Sequence, residues 1–197
     1  MSNQKPPPIV KARQHVAKNS VFDIFFDHLV ESPDREVSDF LVVQPKNMEP
    51  GGITGVCVLP VMDSKFVLVN CYRHPLGQMS LEAPKGFIEA GETPANAALR
   101  ELAEETGLSC SPANLIRLGT AAPEPGVING RLALFAARDC HGTPRVDPNE
   151  IGLAAIRLLS PAELEGEIRM ERILDAVTLL LLNLGRSTET VEAANRT

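Results

Sequence analysis

Residues 86–108 read GFIEAGETPANAALRELAEETGL. Thr93 followed by Pro94 marks a helix start, because a hydroxyl caps the first turn and a proline lacks only an N–H that would be unpaired there. Gly107 stands where a left-handed residue closes a helix. Between these limits Ala95, Ala98, Leu99, Leu102 and Ala103 favour helix. At about 100° per residue, Leu99, Leu102, Ala103 and Thr106 fall on one side, and Glu101, Glu104 and Glu105 on the other. Carboxylates at spacings i, i+3 and i+4 repel one another by a few tenths of a kcal/mol per pair when solvated. A wet acidic face is the common outcome for a Glu-rich helix. The alternative is a site for hard cations, since magnesium favours carboxylate oxygens.

The surrounding spacing separates the two readings. Gly86, Glu92, Arg100-Glu101-Leu102, Glu104-Glu105 and Gly107-Leu108 satisfy every specified position of G-x5-E-x7-R-E-U-x-E-E-x-G-U, where U is aliphatic. With each fixed residue at roughly 6%, a chance match in a chain this long is on the order of one in ten million. The segment therefore resembles the signature of the Nudix hydrolase family. That resemblance implies a strand–loop–helix unit within an α+β fold, a Nudix-type α/β/α sandwich with a mixed sheet. It also implies that Glu101, Glu104 and Glu105 ligate Mg2+ or Mn2+, with the backbone carbonyl near Lys85 as a further ligand. Glu104 and Glu105 then belong to the catalytic set, whereas Arg100 and Glu92 brace the loop against the helix.

Working outward, Cys71-Tyr72-Arg73-His74-Pro75 and Leu81-Glu82-Ala83-Pro84-Lys85-Gly86 resemble the approach to the box in ADP-ribose pyrophosphatases and related nucleoside diphosphate sugar hydrolases. Pro123-Glu124-Pro125-Gly126 resembles their proline-containing loop, and Ile173-Leu174-Asp175-Ala176-Val177-Thr178 their C-terminal helix. The likeness spans residues 50–184. It makes Arg73 and Glu82 candidate substrate contacts; an arginine can grip a phosphate bidentately. The competing readings are ion pairing for each. One departure concerns the catalytic base: Gly130 stands where that group places a glutamate. Glu150, after Asp147-Pro148, is the preferred substitute, ahead of Glu124.

The chain has 197 residues and a formal charge of −6, which gives no footprint for general nucleic-acid binding. An acidic protein handling an anionic substrate needs local compensation from basic residues or bound cations. Cys57, Cys71, Cys110 and Cys140 have no C-x-x-C spacing and no accompanying histidine pair, so buried free thiols in a reducing cytoplasm are expected rather than a zinc site. The most apolar run, residues 178–184, is too short to span a bilayer.

Residues 1–50 are expected to form a loose, proline-bearing arm to about residue 20 and then a strand pair, 22–30 and 36–43, around Ser32-Pro33-Asp34. Two short strands cannot bury their apolar faces alone, so this element is expected to mediate a homodimer. Residues 51–185 are expected to be the catalytic domain, with strands at 56–61, 66–71, 78–83, 115–121, 131–137 and 151–158. Helices are expected at 93–107, 161–167 and 170–184, followed by a polar, frayed tail over 186–197. The expected activity is metal-dependent cleavage of a diphosphate bond in ADP-ribose or a related nucleoside diphosphate sugar, giving a nucleoside monophosphate and a sugar phosphate. Hydrolysis of a nucleoside triphosphate or dinucleoside polyphosphate, or a non-catalytic nucleotide sensor, are the alternatives. Retention of all three helix glutamates speaks for catalysis.

Overall fold

The chain begins with three antiparallel strands, β1 (Ile9–Lys18), β2 (Phe22–Ser32) and β3 (Arg35–Pro45), ordered β1-β2-β3 in a sheet of their own. The structure is a computed structural model that describes residues 5–148 and 150–194. The first four residues of the expected arm, Asn149 and the last three residues of the tail lie outside the described residues. β2 and β3 cover the expected strands at 22–30 and 36–43 and run one or two residues beyond them. β1, by contrast, occupies the stretch expected to be a loose arm. All ten of its residues are exposed, so the strand is held by its ladder to β2 and by a paired Arg13–Asp27 guanidinium–carboxylate contact. A strand stabilised without burial leaves no hydrophobic period to read.

The rest of the chain builds β4 (Ile53–Met62), β5 (Lys65–Arg73), β6 (Gln78–Glu82), β7 (Lys85–Phe87), α1 (Pro94–Thr106), β8 (Leu108–Ser109), β9 (Leu115–Ala121), β10 (Arg131–Ala137), β11 (His141–Gly142), β12 (Leu153–Leu159), α2 (Pro161–Arg169) and α3 (Ala176–Ala194). Asp63 and Ser64, both at positive φ, make the two-residue turn of the β4–β5 hairpin. The main sheet runs β12-β5-β4-β10-β9, with β6 on β5 and β7 on β4. Only β4–β10 is a parallel pairing within it; the others are antiparallel. The sheet is therefore mixed, as expected.

Alternation along β4 sorts side chains between two cores. Val56 and Val58 join Ala97, Ala98 and Leu102 of α1 on one face. Cys57 and Leu59 join Leu164 of α2 and Val177, Leu181 and Leu182 of α3 on the other. Helices thus cover both faces of the sheet, giving the α+β, α/β/α sandwich. All four cysteines are buried and unpaired. Among the described residues, no helix is long and apolar enough to cross a membrane.

The last helix starts later than expected, at Ala176 rather than Met170. Asp175 stops it from extending backward: its carboxylate accepts from the Thr178 N–H at 2.9 Å and from the Thr178 hydroxyl at 2.6 Å. Glu171, at φ +53°, breaks the helical path before it. At its other end α3 continues to Ala194, through the stretch expected to fray.

Candidate active site

α1 begins and ends as its sequence dictates. Thr93 Oγ1 accepts from the Asn96 N–H at 3.3 Å, and Gly107, at φ +69°, donates to the Ala103 carbonyl. The preceding loop is fastened by Arg100. Its Nε and Nη2 pair with both oxygens of Glu92, each at 2.9 Å, and Nη2 also reaches the Phe87 carbonyl at 2.9 Å. Nη1 donates to Glu101 at 2.8 Å and to Glu104 at 2.9 Å. This pairing holds the Glu92 carboxyl below its usual range. Arg100 and Glu92 join loop to helix, as expected of them.

The three helix glutamates differ in environment. Glu101 is buried and packs against Gly86, where any Cβ would collide with its carboxylate. A glycine is required at that position by close approach. Glu104 is exposed and turned to Arg100. Glu105 is half-buried, and its Oε2 accepts from the Lys85 N–H at 3.2 Å. Burial, with Glu101 adding to it, pushes the Glu105 carboxyl up to about 8. Burial likewise raises Glu101 against the opposing pull of Arg100.

Arg73 and Glu82, the two candidate substrate contacts, meet each other. Arg73 Nε and Nη2 lie 2.9 Å and 2.5 Å from the two Glu82 oxygens, and Nη1 takes no part in that pair. The Lys85 ammonium, absent from the sequence reading, bridges Glu82 at 2.7 Å and Asp175 at 2.8 Å. Burial disfavours every charge in this row, yet each partner offsets it: Glu82 and Asp175 stay below the usual carboxylate range and Lys85 above its own. Arg73, Lys85 and Asp175 line a cleft of about 240 Å³, whose walls include Phe22, Phe87 and Ile128. Phe22 and Phe87 meet edge to face at 5.3 Å. A second cavity, about 380 Å³, opens beside Phe40, Pro125 and Asn129, and none of the box glutamates lines it.

Gly130 abuts β4: a Cβ there would lie 2.5 Å from Thr54 Oγ1 and 3.0 Å from its methyl group. A glutamate at 130 would therefore force Thr54 to shift. Glu150 is exposed on the loop before β12, and its charge is felt at both Glu101 and Glu105. Glu124 lies in the turn where its carbonyl receives the Val127 and Ile128 N–H groups, and it does not line the cleft.

Among the described residues, no three His, Cys, Asp or Glu side chains stand close enough together to hold a metal ion. Arg100 Nη1 donates to both Glu101 and Glu104. The donor chemistry nonetheless fits a hard divalent cation: Glu101 and Glu105 are carboxylates driven toward protonation by burial, with Glu104 and Glu150 adding to it at Glu101 and Glu101 and Glu150 at Glu105, and a cation would relieve both.

Residues 53–177 match the NUDIX domain, and the chain belongs to the Nudix family. Its relatives include the methanol dehydrogenase activator of Bacillus methanolicus, 34% identical over 109 residues, which is 55% of each chain. The ADP-ribose pyrophosphatase of Bacillus subtilis (strain 168) is 32% identical over 129 residues, covering 65% of this chain and 64% of that one. The matched segments thus span about half to two thirds of those relatives. A crystal structure of an ADP compounds hydrolase superposes with a TM-score of 0.78 over 100% of both chains at 20% identity, which establishes the shared fold.

Proposed function

We propose that the protein hydrolyses a diphosphate bond in ADP-ribose or a related nucleoside diphosphate sugar, releasing a nucleoside monophosphate and a sugar phosphate. The observation that carries this reading is a complete Nudix box in which buried Glu101 packs on Gly86 and half-buried Glu105 accepts from the Lys85 N–H, while Gly86 and Lys85 line a cleft with aromatic walls. The named activities of its relatives support the substrate class.

Glu101, Glu104 and Glu105 would hold Mg2+ or Mn2+, with the Lys85 carbonyl as a further ligand; Glu104 joins the other two only by leaving Arg100. A divalent ion there supplies positive charge against the diphosphate and lowers the pKa of an attacking water. We assign Glu150 to take the proton of that water, because its charge reaches both Glu101 and Glu105. Arg73 contributes its uncommitted Nη1 to a substrate phosphate, and Glu82 holds the rest of the guanidinium in place. Phe22 and Phe87 offer an apolar wall to the nucleoside.

We take residues 51–185 as the catalytic domain and residues 1–50 as a dimer-forming element. The latter follows from Ile9, Val10, Val37, Phe40 and Leu41, all exposed on the N-terminal sheet. The four free, buried thiols support a reducing, cytoplasmic setting. A panel of nucleoside diphosphate derivatives, incubated with Mg2+ or Mn2+ and read by product mass, tests the activity. Oxygen-18 water identifies the phosphorus attacked. Failure to cleave any member with either metal would sink the proposal.

A further inference from the structure

Lys85 touches Glu105 of the box and the ionic row at Glu82 and Asp175 with two different groups. Its backbone N–H donates to Glu105 Oε2 at 3.2 Å, and its ammonium bridges Glu82 and Asp175. Asp175 uses its other oxygen to cap α3 through Thr178, and the Thr178 hydroxyl in turn accepts from the Ala83 N–H at 3.0 Å. The segment from Glu82 to Lys85 is therefore stitched to the first turn of α3 twice, at Ala83–Thr178 and at Lys85–Asp175. β7 itself is only three residues long and pairs with β4 over three positions. The Val58 N–H to the Pro84 carbonyl and the Ile88 N–H to the Thr54 carbonyl continue that pairing on either side; the side-chain link to Asp175 adds an anchor from a different element.

We propose that Lys85 and Asp175 are positioning residues. The ion pair between them holds β7 so that the Lys85 N–H fixes one oxygen of Glu105, and it thereby sets the grip of Glu105 on a divalent ion. The consequence for metal rests on the hydrolase reading above; the mechanical link does not. Neither side chain touches reacting atoms in this scheme. Their effect passes through the backbone of β7, in the way that partners behind metal ligands orient those ligands.

The deciding variant is Asp175→Asn. Asparagine caps a helix as well as aspartate does, so α3 is retained while the charge facing Lys85 is removed. The expected result is a folded protein by circular dichroism in which the Lys85 amide exchanges at least about tenfold faster than in the wild type. Mn2+ affinity should fall by roughly 10–100-fold, with kcat falling in parallel and KM staying within about threefold. Asp175→Glu, which restores the charge, should recover most of the Mn2+ affinity. Lys85→Gln keeps a donor between the same oxygens and is read in the same way; it decides the matter if Asp175→Asn does not fold. Lys85-amide exchange and Mn2+ affinity both within twofold of the wild type would overturn the proposal. A wild type inert toward metal and every substrate would sink the hydrolase reading, while the exchange comparison would still decide the link between Asp175 and Lys85.

Discussion

Arg100 donates to Glu92, Glu101, Glu104 and the Phe87 carbonyl at once, while Glu105 accepts from the Lys85 amide. At the residue scale this division separates bracing from chemistry. Glu105→Gln removes a ligand charge without changing volume, so turnover should fall by at least about 100-fold with the melting temperature held or raised. Near-wild-type activity in Mg2+ would place the site elsewhere. The raised Glu105 pKa also predicts a pH trend. Between its unfolded value, near 4.5, and about 8, the folded state holds a proton that the unfolded state has lost, so this group's contribution to stability falls as pH rises through that window. In chelator, the melting temperature should decline from about pH 5 to pH 8; with saturating Mn2+ the decline should vanish, because metal replaces the proton. A metal-free melting temperature that climbs across this range would contradict the assignment. Gly130 makes a third case. Gly130→Ala should destabilise by about 1–3 kcal/mol through the clash with Thr54, measured by urea unfolding. Gly130→Glu should add no activity.

At the scale of elements, α1 was readable to within a residue at each end because its signals are local: Thr93, Pro94 and Gly107 act on their own turns. β1 was missed because its residues are exposed and its partner strand lies across a turn. The start of α3 was misplaced by six residues, since Asp175 works as a cap only through Thr178; an Asp three residues before a Thr was the signal available. The N-terminal sheet meets the rest of the chain through hydrogen bonds of Val43 with Val127 and Asn129, and through the Phe22–Phe87 contact in the cleft. Deleting residues 1–45 should therefore both convert a dimer to a monomer by light scattering and weaken substrate binding. An unchanged, fully active species would refute the role given to this sheet.

For the whole molecule, the net charge of −6 and the ionic row in the cleft act in the same direction. Arg73 and Lys85 are matched by Glu82 and Asp175, so the lining presents little net positive charge to a diphosphate. Divalent ions are left to neutralise it. Chelation should abolish activity, and Mn2+ should raise the melting temperature in proportion to its binding; activity that persists in excess chelator would count against this balance.

The sequence by itself determined the Nudix helix, its caps, the side its glutamates occupy, and the approximate place of most strands of the main sheet. Those features follow from spacings of one to four residues, over which backbone geometry leaves little choice. Tertiary structure alone decided that Arg73 and Glu82 face each other, that Lys85 reaches Asp175 ninety positions away, that Glu150 comes within electrostatic range of Glu105, and that Thr54 crowds any Cβ at 130. Such pairings depend on where the sheet and α3 bring distant charges together, and a linear chain holds no local period for a distance through space.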